Sequence, residues 1–210
     1  MRKSNCAVLG IALAGCALAG ANAFAQLDDN FDSYAVGSNL SGQGGWSIWY
    51  SGGTDAAISD TVSNSPSNSL RLIPGSDMVF QFSGITDGKW TYRVMTYMPS
   101  TSTGDAYLIL MNGYGSGFDN WSMQVRFGGT DLIVESQFGG EEATLVTDQW
   151  VELRAEIDLD DQLDLGFEVG SIDLFYNGVQ FADDLIWIEN VSTGGSLNIA
   201  CTDLYNDSCT

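Results

Sequence analysis

Between Val151 and Asp160 the chain alternates without a break. Val151, Leu153, Ala155, Ile157 and Leu159 fall on one side; Glu152, Arg154, Glu156, Asp158 and Asp160 fall on the other. A period of two belongs to a strand with one face in a core and one in water, whereas a helical period would mix the two sets. Further on, Ile172 to Tyr176 runs into Asn177-Gly178 and then Val179-Gln180-Phe181. Asn-Gly between apolar runs predicts a two-residue hairpin, because both turn positions take a positive φ.

The same grammar recurs along the chain. Ser69–Ile73, Met78–Phe82, Trp90–Met98, Ala106–Met111, Trp121–Phe127, Asp131–Ser136 and Ser196–Ala200 read as further short strands, with Gly, Asn, Asp, Ser and Pro between them. About ten short strands at intervals of about 8–15 residues, with no window of helical period, mean an all-β sandwich or barrel. No linker or internal repeat divides the chain, so residues 26–210 are expected to form a single domain.

Residues 1–25 read differently. Met1-Arg2-Lys3 is basic, an apolar, small-residue stretch follows, and Ala23-Phe24-Ala25 closes it. That is the layout of a secretory signal peptide, and the run is too diluted by Gly and Ala for a transmembrane helix, which needs about 18 apolar residues. The expectation is a secreted, extracellular or periplasmic protein with no integral membrane segment after cleavage. Leu13-Ala14-Gly15-Cys16 also resembles a lipoprotein cleavage box, which gives lipid anchoring through Cys16 as the alternative.

Cleavage at Ala25 leaves 27 acids facing five bases (Arg71, Lys89, Arg93, Arg126, Arg154), a net charge of −22. Nucleic acid and anionic membranes need the opposite field. The chain has no histidine, which removes Ser-His-Asp hydrolysis, Cys-His nucleophiles and His-bearing zinc sites. Carboxylates are nearly the only acid–base groups left. Cys201 and Cys209 remain after cleavage, and in an exported protein they are expected to form a disulfide. Closing so small a loop contributes about 2.5 kcal/mol at most.

Read together, Asn30-Phe31-Asp32-Ser33-Tyr34, Gly42-Gln43-Gly44-Gly45-Trp46, Ser67-Asn68-Ser69-Leu70-Arg71-Leu72, Gly88-Lys89-Trp90-Thr91-Tyr92, Trp150-Val151-Glu152-Leu153 and Tyr176-Asn177-Gly178 resemble a known family. They are similar to secreted bacterial members of the concanavalin A-like lectin/glucanase superfamily, above all its laminin-G-like jelly rolls. The resemblance spans nearly all of residues 28–205. It implies a two-sheet antiparallel jelly-roll sandwich with any ligand on the concave face or its rim loops. It does not fix an activity, because lectins, adhesion modules, glycosidases and lyases share that scaffold.

Three chemistries follow. Glu156-Ile157-Asp158-Leu159-Asp160 resembles the Glu-Ile-Asp-x-Glu motif of laminarinase-type glycoside hydrolases, which implies Glu156 as nucleophile, Asp158 as its helper and Asp160 at the acid/base position. Asp there departs from the family's Glu and is one methylene shorter. A retaining pair needs carboxyls about 5–5.5 Å apart, while positions i and i+4 of a strand start roughly 13 Å apart. Second, Asp158, Asp160, Asp161 and Asp164 offer hard oxygens to calcium, although a solvated acidic turn explains them as well. The solvated turn is the preferred reading, so no cofactor is expected, with calcium as the alternative.

The third chemistry is sugar recognition. Asn120, Ser122, Gln124 and Arg126 alternate with Trp121, Met123, Val125 and Phe127, and Arg93 and Tyr97 share the polar side of their own strand. Amides, guanidinium groups and rings suit vicinal hydroxyls and a flat sugar face. Trp46, Trp49 and Tyr50, beside a Gly-rich loop, suit either a stacking platform or a lid over a sheet edge. The preferred expectation is a non-catalytic carbohydrate-binding or adhesion-type module whose partner is a polysaccharide or glycan. Trp46, Trp49, Tyr50, Arg93, Tyr97, Asn120, Gln124 and Arg126 would form its site. The alternatives are the glycoside hydrolase and a purely structural extracellular protein.

Overall fold

The computed structural model describes residues 6–16, 25–115, 119–162, 169–188 and 196–210. Fifteen strands and no helix appear among them. Sheet A runs in space as β14 (Val179–Ile186), β13 (Ser171–Tyr176), β12 (Trp150–Asp158), β7 (Lys89–Tyr97), β1 (Cys6–Cys16), β5 (Ser69–Leu72) and β4 (Ala57–Ser59), with β2 (Ala25–Asp29) also paired to β1. Sheet B runs as β11 (Glu142–Thr144), β10 (Ile133–Ser136), β9 (Asn120–Gly128), β8 (Asp105–Gly113), β15 (Cys201–Asn206), β6 (Asp77–Gln81) and β3 (Trp46–Ile48). Every ladder between them is antiparallel.

The two sheets share one core. Val151, Leu153, Ala155 and Ile157 of β12 are buried, while Glu152, Arg154, Glu156 and Asp158 are partly open to solvent, as the alternation predicts. From sheet B, Leu108, Leu110, Met123 and Val125 join the same cluster. The Tyr92 hydroxyl meets Thr202 Oγ1 at 2.7 Å across the interface, and the Phe127 and Tyr176 rings pack edge to face at 6.1 Å. Asn177 (φ 52°) and Gly178 (φ 74°) close the β13–β14 hairpin as their sequence predicts.

Two expectations change in the folded chain. The predicted Cys201–Cys209 disulfide does not form, and Cys201 is a free, buried thiol. The reason is orientation. Cys201 faces outward from sheet B into a cluster with Val79, Ile109 and Met111, whereas Cys209 belongs to the main core, its Sγ 3.5 Å from Met98 Sδ. The last strand also begins where the sequence reading ended it, at Cys201 rather than at Ser196.

The segment read as a leader contributes β1, whose backbone pairs with β7 from Ala7↔Tyr97 to Cys16↔Lys89 and with β5 from Cys6↔Leu72 to Val8↔Leu70. An uncharged apolar run satisfies a central strand as readily as a leader, so its composition does not separate the two. No helix among the described residues is long and apolar enough to cross a membrane.

Candidate functional site

The site grows out of register on sheet B. Asp203 of β15 stands opposite Val79 of β6 and Ile109 of β8, and Asp77 stands opposite Tyr205. Residues directly opposite share a face and the period is two, so Asp77, Val79, Cys201, Asp203, Tyr205, Tyr107, Ile109 and Met111 all point away from the main core. Val79, Ile109, Met111 and Cys201 are nevertheless buried, packed beneath Trp49, Tyr107, Tyr114 and Tyr205. An outer sheet face would normally be polar; here it is a second apolar floor under an aromatic cover.

A β-bulge decides one of the rings. The alternation in β9 predicts Trp121 inward with Met123. In the ladder Met123 faces Leu110 but Trp121 faces Met111, so Ser122 is the extra residue and the parity changes. Trp121 therefore joins Gln124 and Arg126 on the outer face, 37% exposed. Trp49 sits at the centre of the cover. Its ring stacks on Tyr50 at 5.4 Å and lies near-parallel to Trp121 at 6.3 Å, with Tyr114 edge-on at 4.9 Å. Tyr107 and Tyr205 stack at 5.8 Å on the neighbouring strands.

Between these two sets of rings lies a cavity of about 500 Å³ lined by Trp49, Asp77, Tyr107, Ile109, Trp121, Gln124, Asp203, Tyr205 and Asp207. The Trp49 backbone N–H donates to the Asp77 backbone carbonyl at 3.0 Å, which ties the loop after β3 to the edge of β6. Gly53 permits that close seating, since a Cβ there would stand 2.7 Å from Asp77 Cβ. At the rim the Tyr50 hydroxyl donates to Asp119, and the Tyr205 hydroxyl donates to Asp207 at 2.9 Å.

Two carboxyls form the polar part of the floor. Asp203 is only 4% exposed, and Oδ1 of both Asp77 and Asp203 is buried without a hydrogen-bond partner. Burial pushes Asp203 well above the ordinary carboxylate range, and the neighbouring Asp77 charge pushes it further. Burial also raises Asp77, to about 6, against the opposing effect of its hydrogen bond with Asp203. The pair thus favours a shared proton, held more tightly at Asp203 than at Asp77. Burial, then the charges of Asp203 and Asp119, raise the Cys201 thiol as well, which keeps it protonated and inert as a nucleophile.

The residues expected from sequence are divided over the molecule. Trp49, Tyr50 and Gln124 belong to this site or its rim. Trp46 does not: it is 1% exposed in the main core, its indole N–H donating to Asp29 at 3.0 Å, so no sugar can stack on it. Arg126 shares the outer face, but Nε, Nη1 and Nη2 are committed to Glu135, Asp105 and Asp131 at 2.8, 2.9 and 2.9 Å. Asn120 heads β9 opposite Gly113, with Nδ2 buried and unpaired. Arg93 and Tyr97 lie on β7 in sheet A, across the sandwich, where the Tyr97 ring packs on Trp150 at 5.4 Å. Those two do not converge with the others.

On the outer face of sheet A, Glu156 and Asp158 line a second cavity of about 440 Å³ with Asp161, Asp173 and Asp184. Glu156 pairs with Arg154, and Asp158 pairs with Lys89. Asp160 is outside that lining, exposed in the turn after β12, where it accepts the Gly88 N–H at 3.1 Å. The three residues expected to act together are therefore held by three separate partners. Of the calcium candidates, Asp164 lies outside the described residues, Asp161 accepts the Ser171 hydroxyl at 2.8 Å, and Asp158 accepts the Asp160 N–H at 3.1 Å. The acids whose oxygens do converge, among the described residues, are Asp173, Asp183 and Asp184.

Sequence reasoning missed Asp77, Asp203, Tyr107, Tyr114, Trp121, Tyr205 and Asp207. A signal was present: Cys201-Asp203-Tyr205 alternates with Thr202 and Leu204, and Tyr107-Ile109-Met111 alternates with Leu108 and Leu110. Extending the period-two reading past Ala200 would have found it. No protein-family model, curated protein or solved structure matches the chain.

Proposed function

We propose that this chain is an exported glycan-binding module, built as a concanavalin A-like jelly roll, whose site is the aromatic cavity on the outer face of sheet B. The observation that carries the reading is the near-parallel pair Trp49 and Trp121 over a cavity floored by carboxyls. Flat rings present the apolar platform that a pyranose face needs, and Asp77, Asp203, Gln124 and Asp207 present hydrogen-bonding groups beside it. Stacking of this kind is expected to dominate affinity, with the polar groups setting orientation.

The hydrolase alternative requires a free Glu156, and Arg154 already pairs with it. A screen of immobilised glycans, followed by calorimetry with the best binder, tests the proposal. Trp49→Ala and Trp121→Ala are each expected to weaken binding about tenfold or more, the loss of one ring platform. Turnover of any polysaccharide, abolished in Glu156→Gln, would favour the hydrolase. No glycan bound, or full affinity in both tryptophan variants, would overturn the reading.

A further inference from the structure

The floor of this cavity contains acceptors in excess of donors. Asp203 is nine-tenths buried, it and Asp77 both line the cavity with a buried Oδ1 that has no hydrogen-bond partner, and among the described residues no cation pairs with either. Lys89, Arg126 and Arg154 are paired with other carboxylates, and Arg71 and Arg93 belong to sheet A. Asp119 and Asp207 add further negative charge at the rim. A neutral hexose satisfies such a pair poorly, because buried carboxylates left short of donors stay costly. An ammonium group supplies three N–H donors and the missing positive charge, and the faces of Trp49, Trp121, Tyr107 and Tyr205 attract cations through their quadrupoles.

We propose that the ligand is an amino sugar bearing a free ammonium group, seated with its ring against Trp49 and Trp121 and its nitrogen at Asp77 and Asp203. The inference rests on the glycan-binding reading and narrows it to glucosamine-type polymers over their N-acetylated or neutral counterparts. The elevated affinity of both aspartates for protons fits a floor that lacks a counter-ion, and the incoming ammonium takes that place.

Calorimetry with three probes tests it: hexamers of glucosamine, of N-acetylglucosamine and of plain glucose, at constant ionic strength and a pH that keeps the amine protonated. The free-amine hexamer is expected to bind at least tenfold tighter than the other two. Asp203→Asn is expected to remove at least tenfold of that affinity while folding normally. Asp60→Asn, an exposed acid far along the chain, is expected to change it less than twofold. Equal binding of the glucose hexamer overturns the amine assignment and leaves glycan binding standing. Absence of binding by all three overturns both. Equal weakening by Asp203→Asn and Asp60→Asn shows mere attraction of a polycation to an acidic surface, and overturns the assignment too.

Discussion

Asp203 and Arg126 show how one outer face handles charge in two opposite ways. Asp203 is an acid raised by burial, so its contribution to stability is present below the unfolded carboxylate value of 3.8 and is lost as pH rises; with Asp77 titrating at about 6, the loss extends through that region. Asp203→Asn removes the repulsion. It should raise the melting temperature at pH 8 by about 3 °C, on the order of 1 kcal/mol for a chain of this size, and leave it unchanged at pH 4. Melting curves across pH 4–8 check this; parallel profiles for both proteins would refute the shared-proton account. Arg126 is the reverse case. Its guanidinium holds Asp131 below the usual carboxylate range, a stabilisation present above 3.8 and lost as pH falls. Arg126→Ala strands Asp105, Asp131 and Glu135 against one another and should cost about 2 kcal/mol at pH 7, between the values for exposed and buried pairs, and visibly less at pH 3. Denaturant titration at the two pH values decides it.

At the scale of elements, β9 matters most, because one extra residue in it redirects a ring. Ser122 is the bulged residue, and its Oγ is buried without a partner, so it contributes little stability of its own. Deleting it should straighten β9 while leaving Trp121 on the outer face. Acrylamide quenching of Trp121 and the affinity for the best glycan are expected to stay within about threefold of the parent, with stability changed by about 1 kcal/mol or less. A regular, unbulged β9 gives the opposite outcome, since deletion would then move Trp121 from the core to the surface and raise its quenching. The loop after β3 is the other decisive element. Trp46 opens β3 facing the main core, while Trp49, three residues on in that loop, faces outward, which is why a reading of Trp46, Trp49 and Tyr50 as one platform finds two of the three.

For the molecule as a whole, the seam of sheet A is the question with the largest consequence. β1 fills the gap between β5 and β7, so a chain beginning at Gln26 would expose the facing edges of Ser69–Leu72 and Lys89–Tyr97. Unpaired edges recruit other strands. Residues 26–210 produced alone are therefore expected to melt lower than residues 1–210, or to self-associate by light scattering. A monomeric 26–210 of equal stability would mean that β5 and β7 close on each other, as a cleaved leader requires.

The all-β class, the Val151–Asp158 strand, the Asn177-Gly178 hairpin and the absence of histidine chemistry were settled by local sequence alone, because strand period and turn conformation depend on neighbours a few residues apart. The candidate site was not. Asp77 and Asp203 are 126 positions apart, and nothing near either one marks it as half of a proton-sharing pair. Only the antiparallel register of β6, β15 and β8 sets them side by side, only the bulge at Ser122 brings Trp121 to them, and only the two-faced burial of sheet B separates Cys201 from Cys209. Those are long-range pairings, and a chain's near-neighbour pattern carries no information about which distant strand it will meet.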